Sequence, residues 1–264
     1  MSEIITSSSN AKLKLVRSLQ GRSRQRKSEQ AFVAEGVRLI EEAAHAHWPM
    51  EFLLFDETLS DRGLALIERL KENAGLEISQ VAPSLMAEIS DTETPQGILA
   101  VLKHQRLPLP DPSSFILIVD QIRDPGNLGT LLRTAEAAGA DGIILTPGTV
   151  DAFSPKVVRA GMGAHFRLPI WDQSWDEIRS VVKGLKVFLA ESGTGLAVWR
   201  ADFIQPLALL IGGEAFGASP QGRSLADQTV AIPMPGRAES LNAAIAAGIL
   251  IAEVLRQRYT QLKE

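Results

Sequence analysis

Five short apolar runs in the second half of the chain constrain its fold more than any other feature. Residues 115–120, 143–145, 186–190, 207–211 and 229–233 are rich in Ile, Val and Leu and lie between turn-forming stretches. Runs of this length and polarity read as strands buried on both faces, the kind that parallel sheets use when helices cover both sides. A helix through Leu131 and Ala135 closes at Gly139, and a last helix runs from about Ser240 to Leu262. Its first four turns (Leu241, Ala244, Ile245, Gly248, Ile249, Ile251, Ala252, Leu255) are apolar on most sides. Such a helix is covered by its own domain or by a second subunit.

The first half alternates strands and helices on a smaller scale. Ser9 or Asn10 caps a helix with Leu13, Val16 and Leu19 on one face. Strands are predicted at 31–34, 51–55, 77–81 and 97–102. Helices are predicted at 37–46, through Leu64, Ile67 and Leu70, and after Pro83. This order implies a small three-layer α/β domain. Between the halves, residues 103–114 carry Pro108, Pro110 and Pro112, which forbid a helix and favour an extended connection. The expected division is a first domain at 1–105, a Pro-rich linker at 106–114 and a second domain at 115–264.

Composition removes several chemistries. With no cysteine there is no disulfide, thiolate metal site, iron–sulfur cluster or Cys nucleophile. Four scattered histidines (His45, His47, His104, His165) make no metal cage, so no metal is expected. The longest apolar runs fall far short of the ~20 residues of a membrane span, and no apolar stretch follows the initiator Met. A cytoplasmic protein with no membrane partner is the expectation. No Walker A, GxSxG, HExxH or GxGxxG pattern is present, which sets aside P-loop hydrolysis, the serine-hydrolase elbow, zincins and a nicotinamide-dependent enzyme.

Charge is unevenly placed. Residues 1–30 hold seven Lys and Arg against Glu3 and Glu29, on a chain whose net charge is −4. A basic N-terminus on an acidic body fits a polyanion partner. Lys12, Arg17, Arg22, Arg24, Arg26 and Lys27 are the candidate phosphate contacts, and a solvated helix face is the plainer alternative for the same charges.

Three glycine-containing loops follow predicted strands of the second half, where open α/β sheets bind ligands. The first reads Asp124-Pro-Gly-Asn127-Leu-Gly129-Thr-Leu-Leu-Arg133, the second Gly212-Gly213-Glu214-Ala-Phe-Gly217. The third reads Ile232-Pro233-Met234, then Ser240-Leu241-Asn242. Singly each is a turn between elements. In this order the triplet resembles the SpoU (TrmH-like) family of RNA ribose 2′-O-methyltransferases of the SPOUT superfamily, across residues 115–260. The stretch Phe32-Val-Ala-Glu35-Gly36 after a basic helix makes residues 1–105 similar to that family's L30e-like substrate-binding domain. Two positions depart from the pattern: Ala215-Phe216 stands where Gly usually follows the Glu, and Asn242-Ala243-Ala244 replaces Asn-Val-Ser.

The resemblance implies an N-terminal L30e-like α/β domain and a C-terminal α/β domain whose parallel sheet is threaded as a trefoil knot. It implies S-adenosylmethionine as cofactor, held by Gly212, Gly213, Ile232, Met234 and Leu241, with Gly212 admitting backbone close to the ligand. It implies a homodimer through the C-terminal domain that buries the last helix, and RNA as substrate, rRNA before tRNA. It puts catalysis on Arg133, supported by Asn127, Glu214 and Asn242. A guanidinium stays protonated, so an electrostatic role for Arg133 is preferred to that of a base. Glu214 is expected to pair with Arg133 or Asn127 across the dimer, or to fix its loop, and Ser240 to cap the last helix. A non-catalytic RNA-binding or ribosome-assembly protein on the same fold is the rival reading, and four retained polar groups count against it.

Overall fold

The computed structural model describes residues 4–72, 75–214 and 216–261, so the expectations touching Glu3, Ala215 and Leu262 lie outside the described residues. The chain forms two compact units, residues 1–105 with 153–166, and residues 106–152 with 167–264.

In the first unit, β1 (Ala31–Glu35), β2 (Met50–Phe55), β3 (Glu77–Gln80) and β4 (Ile98–Lys103) form a sheet in the order β1-β4-β2-β3. β4 runs antiparallel to both neighbours, and β2 and β3 are parallel. The helices are α1 (Ala11–Gly21), α2 (Ser23–Glu29), α3 (Val37–His45), α4 (Asp61–Lys71) and α5 (Pro83–Ile89). Leu13, Val16 and Leu19 of α1, with Met86 and Ile89 of α5, cover Val33, Leu54, Leu99 and Val101 on one face. α3 lies against β1 and β4 and packs on α4, which completes the three layers. Asn10, rather than Ser9, caps α1: its Oδ1 accepts from Lys12 N at 2.9 Å. In α4 the inward positions are Leu66, Ile67 and Leu70, and Leu64 points out.

The segment 153–166, expected in the second domain, packs with this first unit. Its helix α7 (Pro155–Gly161) lies against β1, and the Phe153 ring sits 5.0 Å from that of Phe32. No apolar period in a seven-residue helix announces such a partner.

In the second unit seven strands, all parallel, stand in the order β7-β6-β5-β10-β8-β11-β9. They are β5 (Phe115–Asp120), β6 (Gly142–Leu145), β7 (Ile170–Asp172), β8 (Lys186–Ala190), β9 (Leu196–Ala197), β10 (Leu207–Gly212) and β11 (Gln228–Ala231). β5 and β10 at the centre are buried along nearly their whole length, as the two-faced apolar runs require. Each Ile or Leu buried there contributes about 1.5–3 kcal/mol. α6 (Pro125–Ala137), α8 (Trp175–Val181), α9 (Pro220–Leu225) and α10 (Ala243–Gln261) complete the unit. The short α2, β7, α8, β9 and α9 have too few turns or pleats to show a period in the sequence.

Residues 106–114 have no regular structure, yet they are docked rather than free. The Arg106 guanidinium lies 4.1 Å over the Trp171 ring, and Trp171 Nε1 donates to Leu107 O at 2.9 Å. Arg258 of α10 fastens the same end of the sheet, donating to Ser114 O at 2.7 Å, Phe203 O at 3.0 Å and Gln205 O at 3.0 Å. Burial pushes this guanidinium below the usual arginine range.

α10 begins three residues later than expected. Asn242, not Ser240, is its cap: Oδ1 accepts from Ala244 N at 2.9 Å and Ile245 N at 3.2 Å. One face of α10 (Ala244, Ala247, Leu250, Ile251, Val254) is buried, whereas Ile245, Ile249, Leu255 and Tyr259 are exposed. Among the described residues no helix is long and apolar enough to cross a membrane, and no cluster of ligating side chains could hold a metal ion.

Candidate active site

The three glycine loops meet at the carboxyl ends of the central strands. β5 ends in Asp120, whose buried carboxylate accepts from Thr146 Oγ1 at 2.9 Å and Ser219 N at 2.7 Å. It thereby ties the exits of β5, β6 and β10 together. Sequence reasoning missed this residue. A charged group closing an otherwise apolar strand was its only signal.

β10 runs into a five-residue loop closed on itself by Gly213 N to Gly217 O and Gly217 N to Gly213 O, both 3.0 Å. A Cβ on Gly212 would stand 2.3 Å from Ala218 N, and one on Gly213 would stand 2.7 Å from Gln121 O. Both glycines are thus required by the close passage of the chain's own backbone. Gly212 is also required by the passage of residues 217–218, a reason the sequence reading did not give.

At the rim of this loop three side chains from three separate segments bond in series. Asn242 Nδ2 donates to Asn127 Oδ1 at 2.9 Å, and Asn127 Nδ2 donates to Glu214 Oε1 at 2.8 Å. Amide orientation follows from the ends of the series: Asn242 Oδ1 is occupied by the helix N–H groups, and a carboxylate accepts only. Asn127 is itself fixed by its backbone N–H, which donates to Asp124 Oδ1 at 2.8 Å at the cap of α6. Arg123 N points to Glu214 Oε2 at 3.4 Å. The pairing of Glu214 with Asn127 that was expected across a dimer is made within one chain.

Arg133 does not join them. It lies six residues beyond Asn127 on α6, about 9 Å along the axis and roughly a third of a turn around it. Its side chain is exposed and has no hydrogen bond or ion pair with any described residue.

Beside the series opens a cleft of about 950 Å³ whose lining includes Gly212, Gly213, Glu214, Ile232, Met234, Leu241 and Asn242. All five expected cofactor positions therefore line one cavity. The end of β8 (Ala190) and the loop after it (Glu191, Ser192, Thr194), together with Phe216 and Arg223, also line it and were not foreseen. Position at the carboxyl end of a central parallel strand was the available signal for that loop. The cleft has an apolar wall of Ala190, Ile211, Val230, Ile232 and Leu250, with carboxylates at Glu191, Glu214 and Glu239. A planar purine, a ribose diol and a cationic sulfonium match that combination.

The basic N-terminal residues are distributed differently. Lys12 Nζ pairs with Glu77 at 2.6 Å and Ser79 at 2.7 Å, and Arg17 with Glu88 at 2.9 Å. Arg26 is a correction to the phosphate-contacting set: it is 5% exposed, and its guanidinium donates to Leu19 O and Gln20 O at the end of α1. Arg22, Arg24 and Lys27 are exposed.

Residues 114–252 match the SpoU rRNA Methylase family, and residues 10–100 match the MRM3-like substrate binding domain. The 23S rRNA (guanosine(2553)-2′-O)-methyltransferase RlmP of Bacillus subtilis is 32% identical over 94% of this chain and 97% of that protein. The 23S rRNA (uridine(2479)-2′-O)-methyltransferase of Streptomyces viridochromogenes is 35% identical over 95% and 91%. The solved structure of the SpoU methyltransferase AviRb from that organism, in complex with AdoMet, superposes with a TM-score of 0.86 at 33% identity, covering 95% of this chain and 99% of that one. The seven-stranded unit thus has the knot-forming parallel sheet of these proteins. The chain belongs to the SpoU rRNA methylase family and is an S-adenosylmethionine-dependent RNA ribose 2′-O-methyltransferase with an N-terminal substrate-binding domain.

Proposed function

We propose that this enzyme methylates a ribose of 23S rRNA, with its cofactor in the 950 Å³ cleft and its target ribose at the Asn127–Glu214–Asn242 rim. The observation that carries this reading is the bonded series itself. Three polar side chains, with Asn127 standing 87 residues from Glu214 and 115 from Asn242, converge on the edge of a cavity that fits the cofactor. S-adenosylmethionine supplies a methyl group on a sulfonium, whose departure as a neutral thioether needs no acid.

The protein's part is then alignment and charge. Asn127 has its Oδ1 and Nδ2 both engaged, so it cannot rotate, and it holds the Glu214 carboxylate in one orientation toward the rim. A fixed carboxylate accepts the ribose hydroxyl's hydrogen and aims its oxygen, the near-attack alignment that yields several kcal/mol. Arg133 stabilises the charge growing on the 2′-oxygen and holds the adjoining phosphate.

Arg133 reaches that position from a second copy. Its lack of a hydrogen bond or ion pair among the described residues supports this, as do the exposed apolar side chains Ile245, Ile249 and Leu255 of α10. We place the enzyme in the cytoplasm, as the sequence reading expects. Ribosomal RNA is favoured over tRNA because the full-length relatives with named substrates act on 23S rRNA.

The test is methyl transfer from radiolabelled S-adenosylmethionine to unmodified 23S rRNA, 16S rRNA and bulk tRNA, with products mapped by nuclease digestion. A 2′-O-methyl nucleotide in 23S rRNA, absent with Arg133→Ala, is the expected result. Label confined to tRNA overturns the substrate assignment.

A further inference from the structure

Four charged side chains line the cleft: Glu191, Glu214, Glu239 and Arg223. Arg223 is the sole Lys or Arg among the described lining residues, and no part of the reading above uses it. It stands on α9, and its Nη1 donates to Glu191 Oε1 across the cleft wall. The side chains of Arg223 and Glu191 are 45% and 25% exposed, so the pair is open to a ligand rather than sealed. Gly217, at φ +66°, passes the second edge of the guanidinium: a Cβ there would stand 3.3 Å from Nη2. That edge therefore remains uncovered, and Nε and Nη2 have no hydrogen-bond partner among the described residues.

S-adenosylmethionine carries two cationic groups, the sulfonium and the α-ammonium, and one anionic group, the α-carboxylate. Three carboxylates and a single guanidinium mirror that pattern with opposite sign. The α-carboxylate has one cation to meet in this cleft. A guanidinium with an open edge meets a carboxylate through two parallel hydrogen bonds.

We propose that Arg223 binds the α-carboxylate of the cofactor's methionyl end, with Glu191 holding the guanidinium in place and accepting from the neighbouring α-ammonium. This rests on the reading that the cleft is the cofactor site. The pair thereby distinguishes the whole cofactor from its nucleoside fragment: the apolar wall serves both, and Arg223 serves only the amino-acid end.

Calorimetric titration of the full-length protein with S-adenosylhomocysteine and with 5′-methylthioadenosine, which lacks the amino-acid end, separates the possibilities. In Arg223→Met, S-adenosylhomocysteine is expected to bind about 10- to 100-fold more weakly, as for loss of a charged hydrogen bond. 5′-Methylthioadenosine stays within about twofold of the parent protein, and Arg223→Lys recovers part of the loss. Equal losses for both ligands, or none for either, overturn the proposal. Ala246→Phe fills the cleft from α10 and serves as the control on the site. If it leaves both affinities intact, the cleft reading fails independently of Arg223. If it removes both while Arg223→Met and Arg223→Lys change neither, Arg223 alone is wrong. Thermal melting of each variant accompanies the titrations.

Discussion

In the seven-stranded unit, polar side chains reach across long stretches of sequence to one another; in the four-stranded unit, most of the basic ones turn back onto their own chain. Asn127 stands 87 residues from Glu214 and 115 from Asn242 and is hydrogen-bonded to both. Lys12, Arg17 and Arg26 lie within one short stretch and are each engaged by a carboxylate or carbonyl of the first unit. Convergence from afar has to be built by the fold, and a fold that builds it beside a cleft has made a site. A run of like charges needs no such construction. Its members find whatever acceptor is near, and only those left over face a partner.

The difference can be broken most sharply by mixing subunits. Arg133→Ala and Asn127→Ala should each lower methyl transfer by at least about 100-fold, as for loss of a preorganised donor. Mixed and allowed to exchange, they should recover about a quarter of parental activity, because half the dimers are heterodimers with one intact site. No recovery would mean that Arg133 acts in its own chain.

Next in size is Gly212→Ala. Its methyl group meets backbone at 2.3 Å, and backbone has no rotamer to yield, so a loss of about 3 kcal/mol is expected. Denaturant unfolding measures it, and a loss below about 1 kcal/mol would show that the loop can shift. Arg26→Met tests the other region. Removing the guanidinium orphans the carbonyls at the end of α1, which costs about 1–3 kcal/mol of stability, and RNA affinity should not change beyond that. Arg24→Ala should do the reverse, leaving the melting temperature alone and reducing the salt slope of RNA binding by about 1. If Arg26→Met instead flattens that slope, the contrast between the two regions fails.

The smallest effect is acid sensitivity. The hydrogen bond from Arg256 holds the Glu253 carboxyl below the ordinary glutamate range, against the opposing effect of its burial. The native state then binds fewer protons than the unfolded chain. The stabilisation is present above the unfolded glutamate pKa and is lost as pH falls through the lowered native value. Glu253→Gln should flatten the acid limb of a stability–pH curve, and an unchanged limb would remove this pair from the account.

Legibility in the sequence followed the same divide. The apolar runs at 115–120 and 207–211 announced central parallel strands because burial on both faces leaves no other composition for them. The three loops announced a site through their order and position after strands, which resemble a known family; singly each reads as a turn, and only the structure shows backbone passing backbone at Gly212 and Gly213. Arg26 was unreadable, since a charge pattern does not say which charge will be covered. Arg223 was equally unreadable: in a helix of six residues nothing separates a cleft-lining arginine from a solvated one. The passage of residues 153–166 to the first unit leaves no mark in a stretch too short for periodicity.

Asn242 has one further consequence. The same amide that starts α10 also finishes the bonded series at the rim. A growing polypeptide that has not yet reached this residue owns all seven strands of the sheet but no assembled rim. On the proposed reading of the rim, activity begins as a late event in the life of each molecule. An enzyme whose substrate is the machinery of translation cannot act on that RNA while its own synthesis is still short of its last helix.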